Sequence, residues 1–193
     1  MNNIVFCTGN NEKYENAQTV GTKFGVVIEQ ALLEVDEIQS EDAEKIVLDK
    51  LSKAYATLQK PVVITDDSWN IPALNGFPGP YMKSINHWFT PEDYLRLTIE
   101  LEDRSISLVQ WLGYTDGTIT KVFKHTTKGE LLKEIKGNYG NANHKLVSIE
   151  GDNGLSVAEI YDRGANNSER TPAVVWVEFI EWYLSEKNDQ FSS

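Results

Sequence analysis

The sequence predicts an α/β protein with a mixed central β-sheet flanked by helices, and three observations predict it. Compact apolar runs near the N-terminus alternate with segments of helical composition, which gives strand–helix–strand units. Asp116-Gly117 between two strand-like stretches is a hairpin signal, so antiparallel strands are added to that frame. The chain has 193 residues, 40% of them hydrophobic, with no internal repeat, low-complexity tract or long linker. It therefore reads as one domain over 1–193, since chains near 150 residues already bury roughly 70% of their unfolded surface.

Taken in order, residues 3–8 form a short buried strand, mostly apolar and β-branched or aromatic. Gly9-Asn10-Asn11 breaks it, residues 12–24 have helical composition, and 25–30 give a second strand. The clearest helix covers 41–59, where Ala43, Val47, Leu51, Ala54 and Leu58 share a face. Residues 61–65 are a compact strand ending at Asp66-Asp67-Ser68, and 75–80, with two Gly and two Pro, are a loop. Thr90 caps a helix over 91–102 that has Pro91 at its first position. Residues 105–114 and 118–126 are the hairpin strands, and 129–135 are a candidate third antiparallel strand. A Gly/Asn-rich loop at 137–143 precedes a short strand at 145–150. Residues 173–184 are apolar on nearly all sides: Pro172 and the length favour a buried helix, while the Val-rich start leaves a strand open.

Composition narrows the function by exclusion. Acidic residues outnumber basic ones 29 to 18, for a net charge of −11, which disfavours a long DNA or RNA partner. A small polyanion is still compatible if a few lysines and a divalent cation cancel the repulsion locally. The acidic residues between Glu29 and Asp49 read mostly as a solvated helix face and its approach loop, with one or two as candidate metal ligands. Cys7 is the only cysteine, so no intramolecular disulfide forms and a reducing compartment is expected. Met1-Asn2-Asn3 lacks the basic start of a signal peptide, and no run approaches the ~20 apolar residues of a membrane span. A cytoplasmic location with no membrane partner is the expectation.

Three motifs can carry chemistry. Thr8-Gly9-Asn10-Asn11-Glu12-Lys13 stands at a strand-to-helix junction, where free backbone N–H groups and partial positive charge suit phosphate. Its bland alternative is an ordinary helix cap with a surface lysine. Asp66-Asp67-Ser68 can turn one carboxylate toward a ligand, because successive strand residues point to opposite faces. Mg²⁺ takes a few carboxylates plus substrate phosphate and water, although a turn-and-cap cluster has the same composition. Residues 74–83, Leu-Asn-Gly-Phe-Pro-Gly-Pro-Tyr-Met-Lys, are either a rigid turn delivering Tyr81 and Lys83 or a structural loop. Neither G-x-x-x-x-G-K-[ST] nor G-x-G-x-x-G occurs, and His87, His125 and His144 have no metal-site spacing. Cys7, inside the first strand, reads as packing. Asn166-Asn167-Ser168 matches a glycosylation acceptor that a cytosolic chain would not use.

In combination these pieces resemble the inosine triphosphate pyrophosphatase family, which hydrolyses nonstandard purine nucleoside triphosphates. The resemblance rests on Thr8-Gly9-Asn10-x-x-Lys13, the acidic stretch 36–41, residues 62–68 ending in Asp-Asp-Ser, and Gly76-x-Pro78-Gly79-x-Tyr81-x-Lys83, in that order. Downstream it thins to Ser168-x-Arg170. The resemblance implies a mixed-sheet α/β fold with two lobes and a cleft between them, and a homodimer. It implies that Thr8, Gly9, Asn10, Asn11 and Lys13 cradle the triphosphate, and that Glu37 and Asp67 hold Mg²⁺ (or Mn²⁺), with Asp67 also activating water. It further implies that Ser68, Lys53 and Lys83 contact phosphates, with Lys53 joining Asp67 and Lys13 as catalytic, and that Arg170 reaches the substrate.

Two departures bear on the base. The family's Phe-Gly-Trp-Asp-Pro segment corresponds to Tyr139-Gly140-Asn141-Ala142-Asn143, which keeps an aromatic and a glycine without the Trp or the Asp. Tyr139 stacking on a base, with Asn141 or Asn143 at its edge, stands beside a plain Gly/Asn-rich turn. The family's Ser-His-Arg is Ser168-Glu169-Arg170 here. A third departure is Asp49, where relatives often place Asn or Lys. The leading expectation is therefore Mg²⁺-dependent cleavage of a nucleoside triphosphate such as ITP, dITP or XTP to monophosphate and pyrophosphate. The alternatives are the same chemistry on another or modified base, a non-catalytic nucleotide- or protein-binding descendant, and an acidic interaction domain.

Overall fold

A computed structural model describes residues 3–164 and 174–192, with side chains to residue 187. Seven strands, β1 (Asn3–Cys7), β2 (Val27–Ala31), β3 (Val62–Ile71), β4 (Phe77–Gly79), β5 (Ser105–Thr115), β6 (Thr120–Leu131) and β7 (Val147–Ile149), form one sheet. The order is β2-β1-β3-β5-β6-β7, with β4 added on β3. β1 is parallel to β2 and β3, while β3–β4 and β6–β7 are antiparallel, so the sheet is mixed. The helices are α1 (Asn11–Lys23), α2 (Ala43–Leu58), α3 (Met82–Trp88), α4 (Pro91–Thr98), α5 (Val157–Asp162) and α6 (Val174–Ser192). Among the described residues no helix is long and apolar enough to cross a membrane.

The chain divides into two compact units. One contains Met1–Asp66, Gln110–His125 and the segment carrying α6; the other contains Asp67–Val109 and the stretch from Thr126 through α5. In the first unit, side-chain alternation sorts the strands between two cores. Ile4, Phe6, Val63, Leu112 and Tyr114 face α1 and α6, where they meet Ala17, Val20, Trp176, Phe179 and Ile180. Cys7, Val62 and Ile64 face Leu51 and Ala54 of α2. α2 packs so closely on β5 that a Cβ at Gly113 would lie 2.7 Å from a Val47 methyl, which excludes any larger residue there. The second unit closes around Trp69, Ile71, Tyr94, Ile106, Leu131 and Leu146.

Several boundaries differ from the sequence expectation, each for a reason visible in the packing. β3 does not stop at Asp66-Asp67-Ser68 but runs on to Ile71, because Trp69 and Ile71 are buried and pair with Gly79 and Phe77 of β4. Residues 75–80 are accordingly part strand, with Asn75 and Gly76 making the left-handed turn into it and a cis Phe77–Pro78 bond. Residues 129–131 finish β6 and pair with β7 instead of forming a separate strand. α6 is a helix despite its three valines: Val175, Trp176, Phe179, Ile180 and Tyr183 recur at helical spacing along the buried side, and burial outweighs the strand preference of valine.

α4 begins at the expected Thr90 cap, with a full capping box to Asp93, and ends at Thr98, short of residue 102. Arg104 explains the early stop. Its guanidinium donates to the carbonyls of Thr98 (2.8 Å) and Ile99 (3.4 Å) at the end of α4, and to those of Leu131 and Leu132 (both 2.8 Å) at the end of β6. A fixed cation there also suits the negative end of the helix dipole. Arg104→Ala is expected to cost about 2–3 kcal/mol, because it strands carbonyls that had charged donors. Urea unfolding would show this as a lower midpoint. Arg104→Lys should recover only part of the loss, since one ammonium cannot reproduce the planar fork.

Candidate functional site

The junction after β1 is built by local hydrogen bonds. The Thr8 N–H donates to the Ala31 carbonyl (3.2 Å) and the Gln30 amide donates to the Thr8 carbonyl (3.1 Å), which fixes the end of the strand. The Thr8 hydroxyl accepts from the Asn10 N–H at 3.1 Å, and Asn10 caps α1 by accepting from the Lys13 N–H at 3.1 Å. Gly9, Asn10 and Asn11 are exposed, and a Cβ at Gly9 would meet nothing within 4 Å, so the space beside the turn is open. The cap uses one first-turn amide of α1. The Thr8 hydroxyl proton and the Asn10 amide N–H₂ are left as donors beside it, with Lys13 in the first helical turn.

The acidic stretch meets α2 at a lysine that spacing alone did not single out. The Lys50 ammonium lies 2.8 Å from the Glu37 carboxylate and 3.6 Å from that of Asp66, with its side chain only 18% exposed. The signal for it is helical: positions 46, 50 and 54 form one i, i+4 row, and Ile46 and Ala54 are buried. A lysine in that row has its charge drawn into the protein and needs acidic partners. Lys53, which the resemblance favoured, is held by Asp49 at 2.7 Å and donates to the Asp36 carbonyl at 3.0 Å. Asp49 is thereby explained as the anchor of Lys53.

Asp67 is the next residue of β3 after Asp66, and alternation turns its carboxylate to the other side of the strand. Asp67, the buried Ser68 and the exposed Lys83 on α3 belong to the second unit, whereas Glu37, Lys50 and Asp66 belong to the first. Among the described residues no three His, Cys, Asp or Glu side chains converge as a metal centre. Ser168-x-Arg170 lies outside the described residues, as does Asn166-Asn167-Ser168. Cys7 is buried, its thiol donating toward the Leu33 carbonyl at 3.6 Å, and burial pushes its pKa up. It is a packing residue, as its place in β1 suggests.

The loop after β6 is fastened to α5. The Ser156 hydroxyl donates to the Lys136 carbonyl at 2.9 Å, and the Asn138 N–H donates to the Asp162 carboxylate at 2.7 Å. Gly137 sits against the start of α5 at φ +79°, where a Cβ would lie 2.7 Å from both the Ala158 methyl and the Glu159 nitrogen. The Tyr139 ring stacks on Tyr161 with centroids 4.5 Å apart and planes 11° from parallel, and His144 lies 6.5 Å from Tyr139 at 13°. Asn141 is exposed and its N–H donates to His144 Nδ1 at 3.3 Å. Asn143 is fully buried, and neither polar atom of its side chain has a partner among the described residues. Of the two asparagines considered as base readers, only Asn141 is presented at the surface.

The sequence model of the Ham1 family matches residues 4–175, which covers both units and every element from β1 to α5. The chain belongs to the Ham1 family. Relatives extend along nearly its whole length. The dITP/XTP pyrophosphatase of Methanosarcina acetivorans is 30% identical over 187 residues, covering 96% of this chain and 99% of that protein. The dITP/XTP pyrophosphatase of Saccharolobus solfataricus is 29% identical over 181 residues, covering 93% and 94%. Solved Ham1 structures share the fold. A HAM1 protein from Coxiella burnetii superposes with a TM-score of 0.76 at 18% identity, covering 96% of this chain and all (100%) of that one. The Staphylococcus aureus Ham1 protein gives 0.74 at 19%, covering 96% and 99%.

Proposed function

We propose that this protein hydrolyses nonstandard purine nucleoside triphosphates, such as dITP, ITP and XTP, to the monophosphate and pyrophosphate, using Mg²⁺ or Mn²⁺. The observation that carries the reading is the near full-length relation to proteins named dITP/XTP pyrophosphatase. The open, amide-rich turn at Thr8–Lys13 and the Glu37–Lys50–Asp66 ion cluster support it from the geometry. The donor types suit the metal: the carboxylates of Glu37 and Asp67 are hard oxygen ligands, and Mg²⁺ would complete its shell with phosphate oxygens and water. Lys50 already marks the place between Glu37 and Asp66 as one that stabilises a cation. When bound, the metal neutralises phosphate charge and lowers the pKa of water.

The remaining roles fall to the chain itself. The first turn of α1, with Thr8, Gly9, Asn10 and Asn11, holds phosphate oxygens through backbone and side-chain donors. Lys13, Lys50 and Lys83, with Ser68, set fixed positive charge and hydrogen bonds around the leaving pyrophosphate. Lys53, tied to Asp49 and the Asp36 carbonyl, keeps the acidic approach loop on α2 and joins this group when a phosphate competes for it. Water attacks the α-phosphorus: a new O–P bond forms, the bond to the bridging oxygen breaks, its electron pair leaves with pyrophosphate, and Asp67 takes the proton. Tyr139 faces the base and Arg170 contributes from the C-terminal side. A cytosolic homodimer belongs to the same reading. A shift to another or modified base is the second reading, favoured by the loop at 139–143 and by Glu169.

A panel of ribo- and deoxynucleoside triphosphates, with and without Mg²⁺, scored for pyrophosphate against phosphate, tests the reading. Metal-dependent pyrophosphate from ITP or XTP is expected. Pyrophosphate only from another triphosphate would move the substrate to the second reading, and binding without turnover would leave a non-catalytic nucleotide-binding protein.

A further inference from the structure

We propose that Tyr161 and Asp162 of α5 are positioning residues that hold Tyr139 as a rigid, wide stacking platform selective for a purine over a pyrimidine. The inference rests on the proposed function, in which Tyr139 faces the base, and names what makes that contact work in this chain. Tyr139 stands between Gly137 and Gly140, both at positive φ (+79° and +73°). A tyrosine on so permissive a backbone would have to be ordered by each incoming ligand, at a cost in entropy. Two contacts remove that freedom beforehand. The Asp162 carboxylate takes the N–H of Asn138, the neighbouring residue, at 2.7 Å. The Tyr161 ring lies under Tyr139 at 4.5 Å and within 11° of parallel. Tyr139 is still 40% exposed, so stacking on Tyr161 leaves ring surface open.

Orientation supports the same conclusion. His144 is within 13° of the Tyr139 plane, so three rings from two segments share one direction, as a flat ligand would require. His144 Nδ1 accepts the Asn141 N–H, which ties this ring to the same loop. A flat platform rewards the ring area of its ligand rather than its edge chemistry, and a purine offers two fused rings where a pyrimidine offers one. α5 is itself fixed by a capping box between Ser156 and Glu159, so the brace stands on an ordered element.

The test compares Tyr161→Ala, Tyr161→Phe and Asp162→Ala with the wild type in the full chain. The readouts are KM and kcat for ITP and UTP, and calorimetric Kd for the α,β-methylene analogue of ITP. Tyr161→Ala is expected to raise KM and Kd for the inosine nucleotides about five- to tenfold, with kcat within about twofold and the ITP-to-UTP preference reduced. Tyr161→Phe keeps the ring and should restore wild-type values, and Asp162→Ala should move KM in the same direction by about two- to fivefold. If Tyr161→Ala fails to fold, the Asp162→Ala and Tyr161→Phe pair decides. Unchanged KM, Kd and base preference in a folded Tyr161→Ala or Asp162→Ala would overturn the proposal. A wild type that binds the analogue but releases no pyrophosphate from ITP sinks the hydrolase reading alone, and weaker binding by Tyr161→Ala would then still support the platform. A wild type that binds no nucleotide overturns both.

Discussion

Asp67→Asn is expected to leave the fold intact and to lower kcat for pyrophosphate release by about 10²- to 10⁴-fold, the range a positioned general base supplies. The substitution is nearly isosteric, and its site is a partly buried position within β3, whose strand is held by Val62, Val63 and Ile64 on one side and by Trp69 and Ile71 on the other. Far-UV circular dichroism and the melting temperature should therefore match the wild type while turnover falls. Lys13→Ala should lose activity to a similar extent for a different reason. The backbone amide of residue 13 keeps its bond to Asn10, so α1 remains capped, but the full charge beside the turn is removed. Near-normal pyrophosphate rates in both variants would remove the triphosphate from this turn and Asp67 from the chemistry.

The largest expected effect on stability is at Phe179, on the buried side of α6. Its ring is fully buried and lies against Tyr114 (5.5 Å), Phe123 (5.8 Å), Trp176 and Tyr183 (5.9 Å each) and Trp182 (6.3 Å). Phe179→Ala would leave a cavity walled by large rings that cannot close over it, so the cost should fall at the upper end of the usual range, about 4–5 kcal/mol. Denaturant unfolding measures it, with Glu181→Ala on the exposed side of the same helix as a control expected within about 0.5 kcal/mol of wild type. A cost below about 2 kcal/mol would mean that α6 does not close this core.

Elements with strong local chemistry were legible in the sequence. The helix over 41–59 appears as α2, Thr90-Pro91 starts α4, and Asp116-Gly117 joins β5 to β6. What was not legible depends on partners distant in the chain. β3 passes beyond its acidic residues only because β4 supplies hydrogen bonds and the second core accepts Trp69 and Ile71. α6 reads ambiguously until its valines are seen against β1 and β5. That Lys50 reaches Glu37 and Asp66 depends on its place in the 46–50–54 row beside the buried Ile46 and Ala54. α5 is the exception: Ser156-x-x-Glu159 is a complete start signal in the sequence, and the helix that follows it is only six residues long. Where Arg170 lies is outside the described residues.

The single thiol of this chain has a practical meaning for studying it. Cys7 is closed in behind α2 and protonated more firmly than an ordinary cysteine, so the thiolate that alkylating dyes and spin labels attack is scarce and hard to reach. A cysteine placed at an exposed site such as Leu32 or Trp88 would thus be the dominant reactive sulfur without Cys7 first being replaced. Probes could be attached to either unit one at a time in the otherwise native sequence.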